Sequence, residues 1–177
     1  MRFQSLIHLV EVTQALVRPE RITILGSSSL LATNRNLGEV GQPLEFSFDA
    51  DFLIHPSRPE EATILLEAVG ENSLFSKQHG YYADILKPEI SEILPSRWQT
   101  RVVPLGPANH VDALNPYDLA LVKLVLARAK DLELLRALLK RGILEAEKLR
   151  KHYYETALDE RGAEKAGRNL HLLLESS

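Results

Sequence analysis

Residues 46 to 54 change character at almost every step: Phe46, Phe48, Ala50, Phe52 and Ile54 are interleaved with Ser47, Asp49, Asp51 and Leu53. A period of two predicts a β-strand with one apolar face. Upstream, Phe3, Leu6, Ile7, Val10 and Val17 recur at helical spacing, which predicts an amphipathic helix ending before Pro19. The run RITIL (residues 21–25) is short and β-branched and meets Gly26 at once, as a buried strand entering a tight turn does. GSSSLLA then reads as a turn opening a helix, with Ser27 or Ser28 as its N-cap. The polar, glycine-containing residues 33–43 read as a loop.

After the strand, Ser57 as a cap, Pro59 early and Glu60 and Glu61 in the first turn predict a helix that Gly70 stops. A short helical piece over SLFSKQ leads to Gly80. Strands are expected at YYADIL (residues 81–86) and RWQTRVVPL (residues 97–105), with a turn over KPEISEILP between them. From Asn115 the composition becomes leucine-rich. Asn115 as cap, Pro116 at the first position and Asp118 in the first turn open one long helix that runs to Gly142. Residues 145–158 and 163–174 predict two further helices. The expected fold class is α/β (α+β): a small mixed β-sheet with flanking helices over residues 1–108, then a C-terminal helical bundle over residues 109–177.

Bulk composition narrows the classes. The chain has 177 residues, 45% hydrophobic and 25% charged, the balance of a globular protein able to bury one good core. Its net charge of −3 offers no global basic field for nucleic acid. Cysteine is absent, which removes disulfides, thiolate metal sites and cysteine nucleophiles. The first residues lack a signal-peptide layout and no apolar run approaches a membrane span, so a cytoplasmic location without membrane contact is expected.

The strand carries the chemistry. Asp49 and Asp51 are two apart, so they share a face about 7 Å apart along the rise. Like charges side by side on a strand are unfavourable, and aspartate itself is disfavoured there. Either that face is solvated, or a cation sits between the carboxylates. The glycine–serine turn at Gly26, Ser27 and Ser28 lets a phosphate approach the backbone and supplies donors to it. Paired carboxylates suit Mg²⁺ (or Mn²⁺), whose ligands are carboxylate, phosphate and water oxygens. A nucleoside triphosphate would then be held at both ends. A P-loop is missing, as are a G-x-S-x-G elbow and metal-binding histidine spacing.

ILGSSSLLA, SFDADFLIHP, GENSLFSKQHGYYADIL, LPSRWQTRVVPL and LNPYDLALVKLVLARAKD follow one another in the order and approximate spacing of a bacterial nucleotidyltransferase-like family of largely unknown function. That family is similar to the AbiEii-type toxin nucleotidyltransferases and, remotely, to the DNA polymerase β superfamily. The resemblance spans roughly residues 22–144. It implies that Gly26, Ser27 and Ser28 hold a triphosphate and that Asp49 and Asp51 are a catalytic, metal-binding pair. It implies Asp84 as a third catalytic carboxylate, and Lys123, Arg128, Lys130 and Asp131 as a nucleotide-binding cluster of the helical domain. Seven- and eight-residue spacing puts Lys123, Lys130 and Asp131 near one stripe of a continuous helix. The stretch between Gly26 and Asp49 is longer than in the toxin enzymes.

The expected activity is therefore transfer of a nucleotidyl group from a nucleoside triphosphate to a protein or tRNA acceptor, with a place in a toxin–antitoxin system. The rival is a catalytically inactive fold acting as an antitoxin or regulatory partner, with a cognate partner protein. The leucines of residues 119–139 leave room for a homo-oligomer. Direct nucleic-acid binding would need a basic stripe over Lys123, Lys130, Arg136 and Lys140.

Overall fold

The computed structural model describes residues 1–106 and 110–175. The chain divides into two compact units, Met1–Ile90 with Val102–Leu114, and Ser91–Arg101 with Asn115–Ser177. The boundary expected between residues 108 and 109 lies outside the described residues.

The first unit is a five-stranded mixed sheet with helices, the expected fold class. Its strands are β1 (Arg21–Ile24), β2 (Asp49–His55), β3 (Tyr82–Leu86), β4 (Val103–Pro104) and β5 (Val111–Ala113). Their order across the sheet is β3-β2-β1-β5-β4. β1 runs antiparallel to β2 and parallel to β5, β2 is parallel to β3, and β4 is antiparallel to β5. Helix α1 (Phe3–Val17) ends where expected, with Arg18 in the left-handed region just before Pro19. It buries Leu6, Leu9 and Val10 and packs on α2 (Pro59–Val69), which packs in turn on β3. α2 starts at Pro59 with Glu60 and Glu61 in its first turn and stops at Gly70; Arg58, not Ser57, holds the N-cap position. Helix α3 (Leu74–His79) is capped by the Ser73 hydroxyl, which accepts from the Ser76 amide at 3.0 Å.

Three sequence expectations change here. The strand expected from Phe46 begins only at Asp49, and Phe46 and Phe48 are 79% and 52% exposed. The amide of Ser47 is turned back to the carbonyl of Leu44, so the chain is still in a turn there and has no strand partner. The strand expected over residues 97–105 is mostly a 3₁₀ turn at Trp98–Thr100, with only Val103–Pro104 extended. Trp98 is buried in the second unit, and that burial overrides its β-propensity. Finally, β5 fills the position beside β1 that the pattern had left empty; three residues are too short for a period to show.

In the second unit the long helix expected from Asn115 to Gly142 is two helices, α4 (Pro116–Leu126) and α5 (Ala129–Lys140). Ala127 breaks it with φ 51°, ψ 32°. Asn115 caps α4, its side chain accepting from the Tyr117 amide at 2.9 Å, and α5 ends ahead of Gly142 at φ 67°. Helices α6 (Ala146–Glu155) and α7 (Glu160–Glu175) complete the unit. α4 is wrapped by α5, α6 and α7, which explains why its leucines run nearly all round: Leu119, Leu121 and Leu124 are buried. The Asn169 amide closes the α4 end by donating to the Leu124 carbonyl at 2.8 Å. Asp118, fully buried, takes two hydrogen bonds from Arg101 (2.9 and 2.7 Å) and lies 2.8 Å from His152 Nε2, tying Ser91–Arg101 into the bundle. Among the described residues, no helix is long and apolar enough to cross a membrane.

Candidate metal centre

β2 presents Ala50 and Phe52, both buried, on one face and Asp49 and Asp51, both half-buried, on the other. Parallel pairing sets Asp51 beside Asp84 and Asp49 beside Tyr82. The two strands thus bring three aspartates onto one face. One carboxylate oxygen from each lies within 4.8 Å of the other two. Oxygens on opposite sides of an octahedral Mg²⁺ stand about 4.2 Å apart at the usual 2.0–2.1 Å bond lengths, so small side-chain adjustments suffice to bind one ion. The donor set is all hard oxygen, which suits Mg²⁺, Mn²⁺ or Ca²⁺ and not a soft metal.

Gly26 stands directly against this cluster. A β-carbon there would overlap the Asp51 carboxylate. The contact is fixed by backbone: the Leu25 amide donates to the Asp51 carbonyl at 3.0 Å, and the Ser29 amide folds back to Gly26 O at 2.9 Å. The acids and the bend after Leu25 therefore share one place on the sheet. GSSSLLA forms a 3₁₀ helix, Ser27–Ala32, in place of the expected α-helix. Tight 3₁₀ winding turns Ser28 and Ser29 inward, and both hydroxyls are buried without a hydrogen-bond partner among the described residues. Ser27 and Gly26 stay half-exposed. Residues 33–43 are mainly irregular as expected, with one 3₁₀ turn at Arg35–Gly38.

Electrostatics of the cluster are repulsive. Burial first, then the charges of Asp49 and Glu71, push the Asp84 carboxyl above its ordinary range. Tyr82 shares the face of Asp84 two residues earlier; burial, then Glu71, Asp49, Asp84 and Asp51, push its phenol up. Ser47 Oγ donates to Asp49 at 3.3 Å. The Met1 amino group donates to the carbonyls of Leu44 and Ser47; burial lowers its pKa and Asp49 opposes that shift. Sequence reasoning missed Tyr82 and Glu71. The period of two in YADIL carries the signal for Tyr82, whereas Glu71 follows the end of α2 and has none.

The remaining expected site residues belong to the second unit. Lys123 is buried, 5% exposed, with its ammonium 2.8 Å from Asp131 Oδ1. Arg128 Nε donates to Asp131 Oδ2 at 2.6 Å. Burial raises the Asp131 pKa, but hydrogen bonds from Arg128 and Lys123 and their charges outweigh it, so the carboxyl titrates below its ordinary value. Lys130 is exposed. The stripe argument fails because the helix breaks at Ala127; Lys123, Arg128 and Asp131 meet across that break as an ion-paired cluster instead.

No protein-family model matches this chain, and searches of curated proteins and of solved structures found no match either. The case for a function rests on the residues.

Proposed function

We propose that this chain is a metal-dependent nucleotidyltransferase. The observation that supports the reading is the juxtaposition of Asp49, Asp51 and Asp84 with the Gly26 bend. Asp49, Asp51 and Asp84 hold a divalent cation, Mg²⁺ or Mn²⁺, and the bend receives phosphate. Bound there, the cation supplies Lewis acidity at the α-phosphate and neutralises the charge that builds on pyrophosphate as it leaves. The half-exposed Gly26 backbone lets a phosphate approach closely, and Ser27 Oγ offers a donor beside it. Asp84, the third carboxylate of the cluster, is placed to take the proton of an acceptor hydroxyl. A protein or tRNA hydroxyl is the acceptor, as the resemblance to toxin-like enzymes implies.

Calorimetric titration with ATP, CTP, GTP and UTP, with and without Mg²⁺, tests the reading. Mg²⁺-dependent heats from wild type, lost in Asp49→Ala/Asp51→Ala, are expected. Equal and negligible heats from both proteins would refute it.

A further inference from the structure

The face that carries the triad also carries a phenol. Tyr82 is the register partner of Asp49 and lies two residues before Asp84 on the same edge strand, β3. Its ring is half-buried, and the strand period puts it on the face that Asp84 occupies, beside Asp49. No hydrogen bond to the Tyr82 hydroxyl is made among the described residues. A tyrosine phenol carries its proton at neutral pH, so it is a donor.

Carboxylates only accept hydrogen bonds, and so do the oxygens of a polyphosphate. A ligand that brings phosphate to this face needs donors as well as a cation. On the other side of the cluster the bend supplies backbone amides and Ser27. A second hydroxyl, that of Ser28, lies wholly buried and unpartnered in the same bend, whose Gly26 abuts Asp51.

We propose that Tyr82 is a substrate-binding residue whose O–H donates to a phosphate oxygen of a metal-bound nucleoside polyphosphate. This rests on the nucleotide reading above and deepens it by assigning the donor on the β3 side. The bond also separates the cluster's ligand from a bare cation: Mn²⁺ alone gains nothing from Tyr82, and nucleotide does.

Three proteins decide it: wild type, Tyr82→Phe, which deletes only the hydroxyl, and Tyr82→Leu, which deletes the ring too. Each is titrated with Mn²⁺ alone and with a non-hydrolysable nucleoside triphosphate in saturating Mg²⁺. A hydrogen bond to a charged group is expected to be worth about tenfold or more in nucleotide affinity. Tyr82→Phe should lose that factor and bind Mn²⁺ as wild type does, with its melting temperature within about 2 °C. Unchanged nucleotide affinity in Tyr82→Phe, with a loss only in Tyr82→Leu, would assign the effect to the ring and overturn the proposal. An equal loss of Mn²⁺ binding in Tyr82→Phe would overturn it too, by placing Tyr82 in the metal site. If wild type binds Mn²⁺ but no nucleotide, the nucleotide reading itself fails and this assignment goes with it.

Discussion

Gly26 lies against the carboxylate of Asp51 so closely that a β-carbon at position 26 would overlap it. The glycine is needed here for space, not for an unusual backbone angle: its φ of −79° is open to any residue. Gly26→Ala must push the Asp51 side chain off the face it shares with Asp49 and Asp84. Because a short side chain can rotate away, the expected stability loss is about 1 kcal/mol, at the low end for overpacking. The effect on Mn²⁺ affinity is expected to be larger, about tenfold or more. Thermal melts and a Mn²⁺ titration of the same protein separate the two.

Asp84 gives the opposite trade. A carboxyl raised by burial and by its acidic neighbours contributes stability that is complete below its unfolded value, about 3.9, and is lost as pH rises through its higher folded value. Asp84→Asn removes that loss. The variant is expected to melt about 2 °C or more above wild type at pH 7.5 without metal, and to be stabilised less than wild type by the same concentration of Mg²⁺ or Mn²⁺. In wild type, cation affinity falls as pH drops through the Asp84 titration, because proton and cation compete for one carboxylate. A lower melting point for Asp84→Asn would show that the cluster is not under repulsion.

Asp131 should respond in the reverse sense. Its folded pKa is depressed, so its contribution is complete above about 3.9 and is lost as pH falls through the folded value. Asp131→Asn leaves the buried Lys123 ammonium without its partner, at a cost of about 3–5 kcal/mol. A melting point lower by about 6–20 °C at pH 7, converging on wild type in strong acid, is the expected result. Differential scanning calorimetry across pH provides the check.

Ala127 offers a gain. It sits in the left-handed region, where a side chain costs about 1–2 kcal/mol and glycine costs little. Ala127→Gly is expected to stabilise the chain by up to about 1 kcal/mol, the remainder being offset by the greater freedom of glycine in the unfolded chain. Urea unfolding midpoints measure this directly.

These relationships were unevenly legible in the sequence. The α1 stop before Pro19, the strand into Gly26, the Gly70 and Gly142 stops and the Asp49/Asp51 face all follow from local pattern, and the structure has each of them. What local pattern cannot carry is a partner. Phe46 and Phe48 continue the alternation perfectly, yet the chain is still in a turn at Ser47, the ladder with β3 starts only at the Phe48 carbonyl, and both rings stay in solvent. The break at Ala127 is invisible in a leucine-rich run without glycine or proline; Lys123, Arg128 and Asp131 close around it only once the chain has turned. Trp98 and Arg101 read as strand, but one is buried in the helical unit and the other is held there by Asp118. In the candidate metal centre, the strand period reveals Asp49 and Asp51. Asp84 and Tyr82 join them through the β2–β3 register, which only the fold supplies.

The central claim is that three aspartates hold one divalent cation. Titrating Mn²⁺ into the protein at pH 8 and reading free Mn²⁺ by electron paramagnetic resonance tests it with no assumption about nucleotide or acceptor. The account predicts a single saturable site in wild type, weakened about tenfold or more in each of Asp49→Asn, Asp51→Asn and Asp84→Asn. Wild-type binding no tighter than in the three variants would contradict it.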